Sequence, residues 1–298
     1  MNIDHPNTEH PSTDQLNTDG LGEVTRSLLH DWELSPLSRI AHDGIGVALR
    51  VRRRGVTGQA GVAVLRHTDP AAAVPDSTEH IVLRRWAGAG AVRLLAADPA
   101  RAALLVEDPV PGTDLSSVDL IEGCEVLGGL LPSLAVPAPA QLRTVASVLA
   151  SLPAELHRAS DVLPRRFLEE AVSLARSLAD DDTPDRVVPI ALDFRSVVAA
   201  HREPHLATSG LALAGDPAYA VAAAVWDRSA DAARAYRLRA HLRLRIEVVC
   251  DVAGIDAVRA RAFTVVRTCA RIAAAAARGA ASTDEVTTAI GIVKAMQG

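Results

Sequence analysis

The chain has 298 residues, of which 49% are hydrophobic, and it carries a formal net charge of −5 at pH 7. The length suffices for a large core, and the lack of an unbroken apolar run of spanning length argues against a membrane helix. The negative charge gives no general attraction to nucleic acid, so we predict a soluble globular protein that binds neither nucleic acid nor membrane. Three cysteines, Cys124, Cys250 and Cys269, are too few and too widely spaced for a metal finger and are predicted to be reduced and buried.

Residues 1–21 are rich in Asn, Asp, Thr, Pro and His, which predicts a disordered tail. They lack the basic start and apolar middle of a secretory signal, so the protein is expected to be cytoplasmic. Lys294 is the one lysine in the sequence. The body of the fold therefore has no lysine to neutralise nucleotide phosphates, and a P-loop motif is absent.

The first half of the chain predicts a small sheet with one helix. Short, β-branched, glycine-bounded patterns indicate strands at residues 45–51 and 61–67, joined through residues 52–55. A helix capped by Ser77 or Thr78 should follow and carry Glu79 and Trp86. Two further strands are predicted at residues 92–96 and 103–107, and Pro109 and Pro111 then indicate a hinge.

Beyond residue 108 the pattern becomes helical, with apolar residues three and four apart. Helices are predicted near residues 119–131, 139–151 and 164–179 and over most of residues 217–281. Short strands and a loop are expected at residues 187–196 and 205–208. Asp216, before Pro217, is predicted to cap a helix start.

The most informative stretches are residues 189–196 (PIALDFRS), 202–204 (REP) and 215–219 (GDPAY). They resemble successive motifs of the aminoglycoside phosphotransferases, of the streptomycin 6-phosphotransferase or aminoglycoside/hydroxyurea resistance kinase type. That family runs from a catalytic loop His-Gly-Asp-Leu-His-x-Gly-Asn, through a hairpin, to Ile-Asp-Pro-Lys-Gly and then Gly-Asp-Pro-Ala-Tyr. Similar landmarks occur at residues 32–34, 86–95 and 110–115, so the resemblance covers about residues 22–278.

The resemblance implies an α+β, two-lobed protein-kinase-like fold. An N-lobe with a small antiparallel sheet is expected at residues 22–107, and a mainly helical C-lobe at residues 108–298. The family phosphorylates an aminoglycoside hydroxyl with ATP and magnesium. Phosphoryl transfer needs a metal bridge, a cation on the phosphates and a carboxylate that orients the acceptor hydroxyl.

The same resemblance places changed residues at four functional positions. Ala191 stands at the catalytic aspartate, Ser196 at the metal-binding asparagine, Ser209 at the second metal-binding aspartate, and Leu211 at the lysine that follows it. We therefore predict that these positions support no catalysis and no metal. A register shift of two would make Asp193 the catalytic base instead.

Four residues are the candidates for retained nucleotide binding. By the same resemblance, Arg66 takes the place of the phosphate-binding lysine and Glu79 is its helix partner, either in a phosphate site or as an ion pair that only stabilises the lobe. The backbone of Val106 and Glu107 would meet adenine at the hinge. Arginine is no simple substitute for lysine, because it is bulkier and favours bidentate contacts. Residues 43–46 (DGIG) are either the remnant of a glycine-rich nucleotide loop or an ordinary turn.

A cationic acceptor needs carboxylates, and Asp227 and Asp231 are the candidates. Both are predicted on a polar helical face, where simple solvation is the alternative. The arginines at 237, 239, 243 and 245 are predicted to lie on an ordinary exposed helix, and a basic strip is the alternative if the helix turns them all outward.

Three functions remain open from the sequence. The favoured hypothesis is a pseudokinase that serves as a binding or interaction module for an unknown protein or small-molecule ligand, with no cofactor expected. The second is an active ATP- and magnesium-dependent phosphotransferase that uses Asp193 and Arg66. The third is a non-catalytic protein that sequesters a small cationic molecule.

Overall fold

The structure is a computed structural model, and it describes residues 21–40, 46–54, 60–68, 78–109, 113–157, 161–179, 185–228, 231–232 and 237–297. Most of the predicted tail, three residues of the predicted glycine loop (43–45), the candidate cap Ser77 and the hinge residue Pro111 lie outside these ranges. The chain divides into two compact units. The first comprises the chain up to residue 77 together with residues 94–108, and the second comprises residues 78–93 and 109–298.

The described residues of the first unit form an antiparallel sheet and one α-helix. Its strands are β1 (Leu34–Arg39), β2 (Gly46–Arg54), β3 (Ala60–Thr68), β4 (Leu94–Asp98) and β5 (Ala103–Glu107), in the order β1-β2-β3-β5-β4. Helix α1 (Glu23–Asp31) precedes them and contributes Leu28 to a buried core with Leu49, Leu65 and Leu105.

Two strand boundaries differ from the sequence prediction. Residues 52–54 were expected in a connection, but they continue β2, where Arg52 pairs with Val62 and Arg53 with Gly61. Arginine can lay its aliphatic stem along a sheet while its charge reaches water, so the charge does not end the strand. The strand expected at 92–96 begins at Leu94, because the Val92 N–H donates instead to the Ala207 carbonyl at 2.9 Å.

The second unit is mainly helical. The α-helices with defined bounds among its described residues are α2 (Glu79–Trp86), α3 (Leu120–Leu134), α4 (Val145–His157), α5 (Arg165–Ala179), α6 (Leu238–Ala253), α7 (Ala257–Ala277) and α8 (Thr283–Met296), and a 3-10 helix lies at Pro217–Val225. Strand β6 (Arg186–Pro189) pairs with β9 (Ala212–Gly215), and β7 (Val197–Ala199) pairs with β8 (His205–Ala207), both antiparallel. These two ribbons present the loops between β6 and β7 and between β8 and β9.

The start of α4 shows why a helix boundary was misplaced. Periodicity predicted residue 139, but the helix begins at Val145, after Thr144, whose Oγ1 accepts a hydrogen bond from the Ser147 N–H at 3.0 Å. A side-chain cap of this kind satisfies a backbone donor that the first helical turn leaves unpaired. The cap therefore overrides the apolar pattern that runs back toward Pro139.

Two further expectations concern the helices and the cysteines. Asp216 caps the 3-10 helix as predicted, since its Oδ1 accepts from the Ala218 N–H at 2.8 Å. Cys124, Cys250 and Cys269 are free and buried, as expected, and burial raises the pKa of Cys124 to about 11. Within the described ranges, no helix combines the length and the apolar character needed to cross a bilayer.

Candidate functional site

The loop between β6 and β7 is a self-capped turn built on Asp193. Its Oδ1 accepts hydrogen bonds from the N–H groups of Arg195 at 3.1 Å and Ser196 at 2.8 Å. In return, the Ser196 Oγ accepts from the Asp193 N–H at 2.8 Å and donates to the Asp193 carbonyl at 3.1 Å. Asp193 Oδ2 receives no hydrogen bond from the described residues, so one carboxylate oxygen shapes the loop and the other is available.

The buried side chain of Phe194 anchors the loop between β6 and β7 to the core. Phe194 is fully buried, and the guanidinium of Arg228 lies 5.5 Å from its ring centre. A Cβ atom at Gly123 of α3 would lie 2.6 Å from this ring. Helix α3 therefore needs glycine at position 123, because a larger residue would occupy the space that the Phe194 ring fills.

The loop between β8 and β9 contacts both the first loop and α2. Thr208 donates from its N–H at 2.8 Å and from its Oγ1 at 2.9 Å to the Ser196 carbonyl. The Ser209 Oγ accepts from the Leu211 N–H at 3.2 Å, and the Gly210 N–H donates to Glu79 Oε1 at 2.9 Å. Leu211 itself is 44% exposed.

These contacts bear on whether the loops fit a magnesium ion. Magnesium favours anionic oxygen and near-ideal octahedral geometry. The hydroxyls of Ser196 and Ser209 are neutral and already bonded within their own loops, while Ala191 and Leu211 offer no ligand atom. The described residues contain no group of three or more His, Cys, Asp or Glu side chains placed to hold a metal. At the positions that the resemblance assigns to the metal, these side chains do not supply the anionic oxygens of a dedicated magnesium site.

Asp227 lies beside the loop between β6 and β7, and its position differs from the prediction. It occupies a bend after the 3-10 helix rather than a polar helical face, and its side chain is 22% exposed. Its Oδ2 is buried without a hydrogen-bond partner among the described residues, and Arg195 Nε lies 3.8 Å from its Oδ1. Burial raises the pKa of Asp227, and the nearby negative charge of Asp193 raises it further. The bend thus presents a carboxylate that is incompletely compensated.

Asp231, the second predicted acceptor carboxylate, is paired inside the unit. Arg228 Nε donates to its Oδ2 at 2.6 Å, and this carboxylate is 24% exposed. Arg228 also donates to the Val118 carbonyl at 2.7 Å. The structure therefore gives Asp231 a role in holding the segment after Asp227.

Two buried arginines support the site: Arg267, which the sequence analysis did not single out, and Arg245, which it predicted to be exposed. Arg267 of α7 donates to the carbonyl of Ile190 at 2.8 Å and to that of Tyr219 at 2.7 Å. Its guanidinium also lies 4.5 Å from the Tyr219 and Trp226 ring centres. Burial lowers the pKa of Arg267 to about 10. This residue fixes the backbone just before Ala191.

Arg245 of α6 corrects the prediction of an exposed arginine series. It is fully buried and donates to the carbonyls of Asp227 at 2.8 Å and Arg228 at 3.2 Å. It also lies 2.9 Å from His241 Nε2. The physical reason is that unpaired carbonyls after the 3-10 helix need donors, and a planar guanidinium can serve several at once.

The remaining predicted nucleotide residues belong to the first unit. Arg66 lies in β3 opposite Leu104, and Val106 and Glu107 close β5. Asp108, which sequence reasoning did not single out, accepts hydrogen bonds from Arg50 Nε at 3.1 Å and from Arg50 Nη2 at 2.7 Å. The nucleotide roles of Arg66, Val106 and Glu107, and the pairing of Arg66 with Glu79, stay predictions.

A groove of about 650 Å³ lies elsewhere in the second unit, between α4 and α5. Its lining includes Leu156, Arg165 and Arg176 and none of the candidate site residues. The site is therefore defined by its loops and charges rather than by this groove.

The two units, an antiparallel sheet of five strands and a mainly helical unit with two loop-bearing ribbons, match solved structures with a kinase-like fold. An aminoglycoside phosphotransferase in ternary complex with AMP-PNP and hygromycin B superposes with a TM-score of 0.60 at 16% identity, over 92% of this chain and 99% of that one. The choline kinase LicA from Streptococcus pneumoniae superposes with a TM-score of 0.61 at 10% identity, over 92% of this chain and 97% of that one. These likenesses confirm the predicted kinase-like fold.

Sequence comparison then gives the family. The profile of the aminoglycoside/hydroxyurea antibiotic resistance kinase family matches residues 31–279. Streptomycin 6-kinase of Streptomyces glaucescens is 31% identical over 250 residues, covering 82% of this chain and 79% of that protein. Hydroxyurea phosphotransferase of Kitasatospora aureofaciens is 32% identical over 257 residues, covering 83% of this chain and 71% of that protein. The chain belongs to the aminoglycoside/hydroxyurea antibiotic resistance kinase family.

Proposed function

We propose that this protein binds a cationic, hydroxyl-bearing small molecule of the aminoglycoside class at Asp227 and the neighbouring Asp193 loop. The observation that carries the proposal is the buried, unpartnered Oδ2 of Asp227. Among the described residues, the cation that approaches Asp227 is Arg195, whose Nε lies 3.8 Å from Asp227 Oδ1, and that arginine is 78% exposed. A buried carboxylate without full compensation is costly to the folded protein, and a cationic ligand group would relieve that cost.

Phosphoryl transfer to the bound molecule is the first candidate activity. The relatives carry the names streptomycin 6-kinase and hydroxyurea phosphotransferase, and they favour transfer over the pseudokinase predicted from the sequence. Asp193 is the base that the geometry supports, because its Oδ1 is fixed by the loop while Oδ2 is available to orient a hydroxyl. Arg66 is the proposed phosphate-binding cation. The loops do not fit a dedicated magnesium site, so no step is assigned to a metal.

Binding without transfer is the second candidate, and a separate observation favours it. The hydroxyls of Ser196 and Ser209 are engaged in loop hydrogen bonds, at the positions where the family resemblance expects an amide and a carboxylate. Without anionic ligands at these positions, a nucleotide-bound metal would gain little from the protein. The Asp193 loop and Asp227 would then bind the ligand without modifying it.

One set of measurements separates the two candidates. Purified protein is incubated with ATP labelled at the γ-phosphate, with streptomycin or a related aminoglycoside as acceptor, and the labelled product is counted. Asp193→Asn is compared with Asp251→Asn, a matched loss of an exposed carboxylate on α6. Transfer that Asp193→Asn abolishes and Asp251→Asn preserves supports the first candidate.

Calorimetric titration of the same acceptors covers the other outcomes. Heat of binding without any labelled product supports the second candidate. The proposal is overturned by a protein that neither binds nor modifies any cationic acceptor.

A further inference from the structure

The first turn of α2 is bound directly to the loop between β8 and β9. The Gly210 N–H donates to Glu79 Oε1 at 2.9 Å, and Gly210 is buried. A Cβ atom at Gly210 would lie 2.8 Å from the Glu79 carbonyl oxygen and 2.8 Å from Leu83 Cγ. The loop backbone is therefore pressed against the helix at a place where a side chain does not fit without movement.

This bond depends on a residue that departs from the family pattern. The Ile-Asp-Pro-Lys-Gly motif, aligned with Ser209 at its aspartate and Leu211 at its lysine, places proline at position 210. Proline has no backbone N–H and cannot donate. The hydrogen bond from Gly210 to Glu79 is therefore a contact that this chain has and a chain with the family's proline lacks.

Other hydrogen bonds anchor the rest of the same segment. Ala207 N–H donates to the Gly90 carbonyl at 2.9 Å, in the turn that follows α2. Thr208 bonds to the Ser196 carbonyl, and Ser209 accepts from the Leu211 N–H. Each residue from 207 to 211 thus has a protein partner for at least one backbone or side-chain group, and α2 is tied to the segment at both of its ends.

We infer that Glu79 is a positioning residue that holds the 208–211 loop in one arrangement through the Gly210 N–H, and that this order is independent of a divalent metal. The glutamate carboxylate accepts from a buried donor, which makes the bond charge-assisted. This chain differs from the family motif at two adjacent positions. Serine at 209 replaces the motif's aspartate and so lacks an anionic metal ligand, whereas glycine at 210 replaces its proline and supplies an N–H donor that fixes the loop. The loop is then organised by protein groups alone.

Residue-resolved amide hydrogen exchange on the ligand-free full chain tests this inference. The variants are Glu79→Ala, Glu79→Gln and, as a matched control on the same turn, His80→Ala. We expect Glu79→Ala to speed exchange of the Gly210 amide at least about tenfold, Glu79→Gln to speed it less because its amide oxygen still accepts, and His80→Ala to leave it unchanged. The Val187 amide, bonded to the Val136 carbonyl at 2.8 Å, reports global opening and should keep its wild-type rate.

The same exchange measurement with added Mg²⁺ tests whether the order of the loop depends on a metal. Millimolar Mg²⁺ should leave exchange of the Gly210 amide in the wild type unchanged. An unaltered Gly210 rate in Glu79→Ala, or a rate slowed by Mg²⁺ alone, would overturn the inference. If Glu79→Ala does not fold, Glu79→Gln supplies the comparison. No acceptor or nucleotide is present, so the outcome does not depend on the proposed function.

Discussion

Replacing Asp227 with asparagine should make the folded protein more stable at neutral pH. The carboxylate has one buried oxygen without a hydrogen-bond partner, and leaving a buried polar group unpaired costs about 1–3 kcal/mol. The compensating pair with Arg195 is long, at 3.8 Å, and its arginine is largely exposed, so it contributes about 0–1 kcal/mol. Asparagine removes the charge but keeps a polar group, so we expect a net gain of about 1 kcal/mol.

Thermal unfolding at pH 7, followed by circular dichroism, measures this change. A gain of that size in a chain of this length corresponds to a rise in Tm of about 2–4 °C. Asp251→Asn, at an exposed position of α6, should stay within about 0.5 kcal/mol of the wild type. A fall in the Tm of Asp227→Asn at pH 7 would refute the reasoning, since it would show that the carboxylate stabilises the fold.

The pH dependence gives an independent check on the same residue. The folded-state pKa of Asp227 is raised above its ordinary value, so folding favours the protonated carboxyl. The cost of the charged form is therefore present at pH values above the raised pKa and disappears as the pH falls below it. The stability advantage of Asp227→Asn over the wild type should shrink as the solution is acidified from pH 7 and should not grow.

Three further predictions concern the support of the site. Gly123→Ala should destabilise the protein by about 1–3 kcal/mol in urea unfolding, because its Cβ would lie 2.6 Å from the Phe194 ring, whereas Gly129→Ala, with open space around its Cβ, should be neutral or stabilising. Arg267→Met should cost about 3 kcal/mol in the same assay, since it strands two buried carbonyls, and a cost below about 1 kcal/mol would contradict its anchoring role. The folded-state pKa of His241 is lowered by burial and then by the buried arginine of α6, so stability should fall as the pH drops below about 6.5, and a His241→Gln variant should lack this component.

Much of the fold follows from local patterns that the sequence displays. The alternating β-branched segments of the first unit and the long apolar periodicities of the second predict most of the strands and helices. Helix α8 lay beyond the predicted region, although its capping box, in which Ser282 and Glu285 each bond the other's backbone, is a recognisable start signal. These features depend on residues close together in the sequence, so they can be predicted from it.

The candidate site is less predictable because its support comes from distant residues. Helical periodicity predicts that an arginine is exposed. Arg245 and Arg267 are nevertheless buried, because each donates hydrogen bonds to backbone carbonyls of the 3-10 helix or the residues beside it. Asp227 lies in a bend rather than on a helix, and the bond that its carbonyl accepts from Arg245 joins it to a residue 18 positions away. The bond between Glu79 and Gly210 joins residues 131 positions apart, and no local pattern reports it.

The most direct test of the proposed ligand class is calorimetric titration of streptomycin into the full chain at low ionic strength. The wild type and Asp251→Asn should bind with equal affinity, while Asp227→Asn should bind at least about tenfold more weakly, because the carboxylate that meets the cation is gone. Equal affinity of the wild type and Asp227→Asn, or no binding by the wild type, would contradict the account.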